Sequence, residues 1–169
     1  MNPKMKSVFL VCLGISTMAW AFTGCDKKTD KEGGGGDEKT AKSSIRDLGE
    51  TGLKAEIPSG AKVGKAIVGK GVMVQAPGLV VTVEKATASR PKTVEAAKKE
   101  AEMYTPKNVE TEELSDGWTF SFENKGSMGT NYFVWVRRKI GDVEYWCSTT
   151  GSKPEQKKNT LALCKSLKK

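Results

Sequence analysis

Beyond residue 44 the apolar and polar positions of the chain recur at periods that change from one stretch to the next, and those periods spell out elements. Residues 53–57 alternate at period two and run into Pro58, Ser59 and Gly60, which predicts a strand ended by a turn. Residues 66–68, 72–75 and 79–84 are short β-branched runs separated by Gly69-Lys70-Gly71 and Pro77-Gly78, the layout of hairpins. The period then lengthens. Over 91–104, Val94, Ala97, Ala101 and Tyr104 recur at helical spacing, with Glu95, Lys98, Lys99 and Glu102 on the other faces, so an amphipathic helix is predicted. Ser89 or Thr93 can cap it, Pro91 near the start favours Ser89, and Pro106 stops the helix from running on.

Further period-two runs at 109–114, 118–123, 130–140 and 143–149 are punctuated by Asp116-Gly117, by the glycine-bounded stretch 126–129 and by Gly141-Asp142. They predict an antiparallel meander. Trp118, Phe120 and Phe122 share one face, while Tyr132, Val134 and Val136 oppose Phe133 and Trp135. The third of these strands is therefore apolar on both sides and belongs inside the sheet, covered on both faces. Residues 154–169 gather Thr160, Leu163, Cys164 and Leu167 on one stripe and place lysines around the rest, which predicts a last helix packed on the sheet. The expected class is α+β: one domain over 45–169, with a twisted antiparallel sheet of about six to seven strands and two main helices against it.

Several of these features together resemble the PsbP-like sandwich found in small secreted and lipid-anchored proteins. They are residues 53–60 entering the sheet, the helix over 93–104, Asp116-Gly117-Trp118-Thr119-Phe120, and Tyr145-Trp146-Cys147 ahead of a final Cys164-Lys165-Ser166-Leu167 helix. The resemblance spans residues 50–168. It implies a fold and carries no shared activity.

The first 44 residues read differently. Lys4 and Lys6 stand without an acid in residues 1–7, and residues 8–22 are mostly apolar. A run of about 15 residues falls short of the ~20 that span a bilayer and has the layout of a secretory leader. It closes on Phe22-Thr23-Gly24-Cys25, which resembles the lipobox of bacterial lipoproteins, with Phe22 where that family usually carries Leu. The resemblance implies cleavage of residues 1–24, a diacylglycerol thioether on Cys25 and N-acylation of the same residue. It places the protein in the bacterial cell envelope, facing the periplasm or exterior, and leaves inner or outer membrane open. Each buried methylene contributes about 0.8 kcal/mol, so two or more chains hold a protein stably at a bilayer. Residues 26–44, with five lysines, five acids and Gly33 through Gly36 in a row, offer almost nothing to bury. Together with Cys25 they are expected to form a flexible linker over 25–44, with a reach of roughly 25 Å.

Composition narrows the chemistry. None of the 169 residues is histidine, which excludes Ser-His-Asp triads, HExxH zinc sites and c-type haem attachment. The formal charge is +8, and the excess sits late: Lys153, Lys157, Lys158, Lys165, Lys168 and Lys169 face only Glu155 in residues 151–169. With Cys12 in the leader and Cys25 acylated, Cys147 and Cys164 remain in an oxidising compartment and are expected to pair. Residues 64–71 match the GxxxxGK core of a phosphate-binding loop, yet Gly71 stands where a magnesium-binding hydroxyl belongs and a strand follows instead of a helix, so a glycine-rich turn is the reading. Glu110, Glu112, Glu113 and Asp116 form an acidic cluster in which Glu110 and Glu112 share a strand face. A solvated edge is expected there, with calcium the alternative. Arg137-Arg138-Lys139 is a basic run that can pair with that cluster. Of the aromatic residues, Trp135 or Trp146 is the expected contact with a ligand, whichever lies on the less covered face.

No catalytic residue, cofactor or nucleic-acid partner is expected. The function read from the chain is a non-catalytic binding or assembly module, tethered to a membrane through acyl chains on Cys25, with an unidentified protein or ligand partner. The alternative is an envelope protein that binds anionic lipid or polysaccharide through the basic C-terminal helix.

Overall fold

The computed structural model describes residues 42–169. Strands β1 (Ser43–Asp47) and β2 (Lys54–Pro58) pair as an antiparallel hairpin. The main sheet contains β3 (Lys62–Lys65), β4 (Val72–Ala76), β5 (Leu79–Lys85), β6 (Lys107–Leu114), β7 (Gly117–Gly126), β8 (Gly129–Ile140) and β9 (Val143–Gly151). Its order is β3-β4-β5-β9-β8-β7-β6, antiparallel throughout. Helices α1 (Val94–Ala101) and α2 (Pro154–Ser166) complete an α+β domain. The chain leaves β5, passes through α1 to the far edge at β6, and meanders back until β9 closes against β5.

Alternation assigns each strand residue to one of two faces. On the first face Val74, Val81, Val83, Val134, Val136 and Cys147 are buried beneath α2 and the β1–β2 hairpin, which contribute Leu163, Cys164, Leu167, Leu53, Ala55 and Ile57. On the second face Trp118, Phe120, Phe122, Trp135 and Trp146 are buried beneath Val94, Ala97 and Ala101 of α1. Strand β8 feeds both cores, which is what its two-sided apolar pattern requires.

Polar side chains pin each helix. At the start of α1, Trp118 Nε1 donates to Lys92 O (3.2 Å) and Arg137 Nη1 to Pro91 O (2.8 Å). Beyond its end, Asn124 donates to Tyr104 O. Thr93 caps α1, accepting from Ala96 N at 3.2 Å. The cap is thus not the Ser89 that Pro91 favoured: the carbonyls of Arg90 and Pro91 accept from Arg137 and the helix opens after them, at Val94. After Ala101 the chain tightens into a 3-10 turn over Glu102–Tyr104, and Thr105 turns left-handed (φ 50°) ahead of Pro106. On the other side of the sheet, Arg138 Nη1 donates to Cys164 O (3.0 Å) and Lys165 O (2.7 Å), satisfying carbonyls at the end of α2.

Two differences from the sequence reading concern the first strands. Residues 66–68 are not a strand. Pairing of β3 ends at Lys65, and Ile67 and Val68 project from the connecting loop, because β-branched residues promote a strand only where a neighbouring strand and a core are present. Regular pairing also begins at Ser43 rather than Ile45, since Ser43 and Ser44 lie opposite Pro58 and Ile57.

Cys147 on β9 and Cys164 on α2 face each other across the first core, Cα atoms 5.9 Å apart and sulfurs bonded. With a sequence separation of 17, loss of the bond through Cys147→Ala with Cys164→Ala should lower the unfolding free energy by about 3 kcal/mol, measured by urea denaturation. Thiol titration of the unreduced protein should find neither sulfur reactive, and two free thiols would refute the pairing.

Candidate functional site

The second face of the sheet is only partly covered. Helix α1 overlies the aromatic rows of β7 and β8, but Gln75, Val80 and Thr150 on the same face are exposed and Thr82 and Ser148 half-buried. Where the covered part meets the uncovered part lies a cleft of about 340 Å³. Phe133, Trp135 and Tyr104 form its aromatic wall, and Thr82, Ser148 and Thr150 bring hydroxyl-bearing side chains from β5 and β9. Alternation makes this mixture: the hydroxyl residues occupy the same face as the rings but are not among the residues packed with α1.

The rings are mutually ordered. Phe122 and Phe133 stack at 4.5 Å between centroids, while Trp135 meets Phe122 edge-on at 5.3 Å. Tyr104 lies 5.0 Å from Phe133. Such pairs contribute about 1 kcal/mol each beyond area burial and hold the wall rigid. Trp146, 2% exposed, closes the cleft at one end, and its indole N–H has no hydrogen-bond partner among the described residues.

Arg90 completes the lining. Its guanidinium lies 5.3 Å from the Trp146 ring centroid and donates to Glu84 Oε1 through Nε (3.1 Å) and Nη2 (2.6 Å). The Glu84 side chain is 8% exposed, so this pair neutralises a buried carboxylate while covering the indole. A second guanidinium on this face, Arg137, bonds Glu144 at 2.6 Å and holds its carboxyl below the ordinary glutamate range. A depressed carboxylate pKa stabilises the fold above the unfolded value, and that contribution disappears as pH falls through the lowered one.

The residues singled out from the sequence fall into separate places. Trp135 and Trp146 both line the cleft, though each is buried, so they meet it by their margins rather than as open stacking platforms. Glu110 and Glu112 share the face that α2 covers and are paired with its lysines, Lys157 with Glu110 at 2.9 Å and Lys165 with Glu112 at 2.5 Å. Asp116 accepts from Arg138 at 2.7 Å. Glu113 is exposed on the edge strand, and no cluster able to hold a metal occurs among the described residues. The GxxxxGK stretch forms the end of β3, its loop and the approach to β4. Cys25 lies outside the described residues.

The sequence marks none of Arg90, Tyr104, Thr82 and Ser148 as a site residue, and Tyr104 only as part of a helical stripe. The period-two alternation of β5 and β9 held the signal for Thr82 and Ser148. Nothing local marks Arg90, whose partners Glu84 and Trp146 come from two different strands. No protein-family model matches the chain, and no curated protein matches it either.

Arg90→Ala should destabilise the protein by about 2 kcal/mol, because Glu84 is left buried without its cation. Adding Glu84→Gln should recover part of that loss in urea denaturation, and a double variant whose loss equals the sum of the Arg90→Ala and Glu84→Gln losses would show that the pair contributes nothing of its own.

Proposed function

We propose that the protein is a lipid-anchored binding module of the bacterial cell envelope, held at a membrane through Cys25, whose domain takes its ligand or partner segment in the cleft beside α1. The observation that carries this reading is the composition of the cleft: ordered aromatic rings on one side, hydroxyl-bearing side chains on the other. Such a surface suits a group with one apolar or flat face and one hydrogen-bonding edge. The reading is non-catalytic. Rings and hydroxyls position a ligand, and the one guanidinium lining the cleft is already engaged by Glu84.

The anchor is supported by the lipobox-like Phe22-Thr23-Gly24-Cys25 and by the polar linker that follows. Among the described residues no helix is long and apolar enough to cross a membrane. The alternative, an anionic surface held by α2, has less to draw on, because Lys157 and Lys165 are committed to Glu110 and Glu112.

In envelope membranes washed at high salt to strip peripheral electrostatic contacts, Cys25→Ser is expected to move the protein from the membrane fraction to the soluble fraction, and unchanged retention would overturn the anchor. For the cleft, a photo-crosslinking residue replacing Thr150 should capture a specific adduct in cells, while the same residue replacing Glu113 on the exposed edge should not. Identical adducts from both positions, or none from the cleft, would remove it from the function.

A further inference from the structure

A second concavity, of about 900 Å³, lies at the end of the sheet where β5 finishes, between the β3–β4 loop and the segment leading to α1. Its walls include Lys65, Lys70 and Lys85, and among the described residues none of the three takes part in an ion pair. Glu84 and Arg90, also on the wall, neutralise each other, which leaves Glu50 as the opposing charge. Local charge is therefore positive.

Beside these lysines stands an apolar tip. The loop is clamped at its base, where Ala66 N donates to Gly71 O at 3.0 Å. Gly71 (φ 113°) lies so close to β5 that a Cβ there would collide with the Val83 carbonyl. Held from below, the loop projects Ile67 and Val68, which are 82% and 84% exposed. Adjacent β-branched residues in water cost free energy and contribute nothing to either core.

We infer that this end of the domain docks on a bilayer containing acidic phospholipid, Ile67 and Val68 entering the boundary between headgroups and acyl chains while Lys65, Lys70 and Lys85 meet lipid phosphates. An apolar tip ringed by unpaired cations is the combination that peripheral membrane contact uses, since hydrophobic insertion and attraction to anionic headgroups add. The surface is distinct from the aromatic cleft and needs no acyl chain on Cys25. With an anchor present, it would set which end of the domain faces the membrane.

The test uses a fragment of residues 42–169, which contains both sheets, both cores and the disulfide, with folding checked by near-ultraviolet circular dichroism. The fragment should float with vesicles of phosphatidylcholine and phosphatidylglycerol and not with phosphatidylcholine alone. Ile67→Asp with Val68→Asp should reduce partitioning about tenfold or more, and Lys65→Gln with Lys70→Gln should weaken it about tenfold. Met128→Asp, at the fully exposed turn on the opposite end of the sheet, should leave it unchanged. In Val68→Trp, emission should shift to the blue and be quenched by brominated acyl chains. The inference is overturned if the unaltered fragment ignores anionic vesicles, if binding survives the Ile67 and Val68 changes, if Met128→Asp abolishes it equally, or if the new indole is neither shifted nor quenched. Because the fragment lacks Cys25 and the assay does not involve the cleft, failure here is separate from failure of the anchor or of the cleft.

Discussion

The constraint on which the structure depends is that β8 is buried on both faces. Val134 and Val136 enter one core and Trp135 the other, so neither helix can be removed without exposing part of this strand. Its two arginines extend the same alternation into polar chemistry. Arg137 reaches the carbonyls ahead of α1, and its neighbour Arg138 reaches the carbonyls at the end of α2. Period two sends adjacent guanidiniums to opposite sides, and each satisfies backbone acceptors that a helix terminus or an extended approach would leave unpaired. A basic run that looks like a surface patch in the sequence is thereby turned into two internal clamps.

Unequal covering of the two faces creates the sites. The first face receives both the β1–β2 hairpin and α2, fastened further by the disulfide. The second receives only α1, a short helix placed over the aromatic half. Where it ends, rings that were core become a wall, and hydroxyl residues that would be buried behind a longer helix remain accessible. The cleft is thus a consequence of helix length and position rather than of a special loop.

Charge follows a similar division. The lysine-rich character of α2 is partly consumed on the acidic strand β6, where Lys157 and Lys165 lie opposite Glu110 and Glu112. Exposed pairs of this kind contribute only tenths of a kcal/mol, but they blunt an edge strand that would otherwise offer unpaired backbone groups. The lysines around the β3–β4 loop have no such counterpart, and they stand beside the exposed Ile67 and Val68.

Much of the architecture could be read directly from the chain. The four-strand meander, the helical stripes of Val94, Ala97 and Ala101 and of Thr160, Leu163 and Cys164, and the double-sided character of β8 all follow from periodicity, because a side chain's face is a local property of strand and helix geometry. The segment at 66–68 was misread for the complementary reason: Ile67 and Val68 have the residue types of a strand, but a strand exists only where another chain segment pairs with it. The choice of Thr93 over Ser89 was equally invisible: the carbonyls ahead of the helix accept from Arg137, on a strand some forty residues away. By itself the sequence determined the α+β class and the helix and strand faces, all properties of local pattern. Which faces were covered, which charges were cancelled and where aromatic residues became a cleft were decided only by tertiary structure, since each depends on distances between elements that no local period encodes.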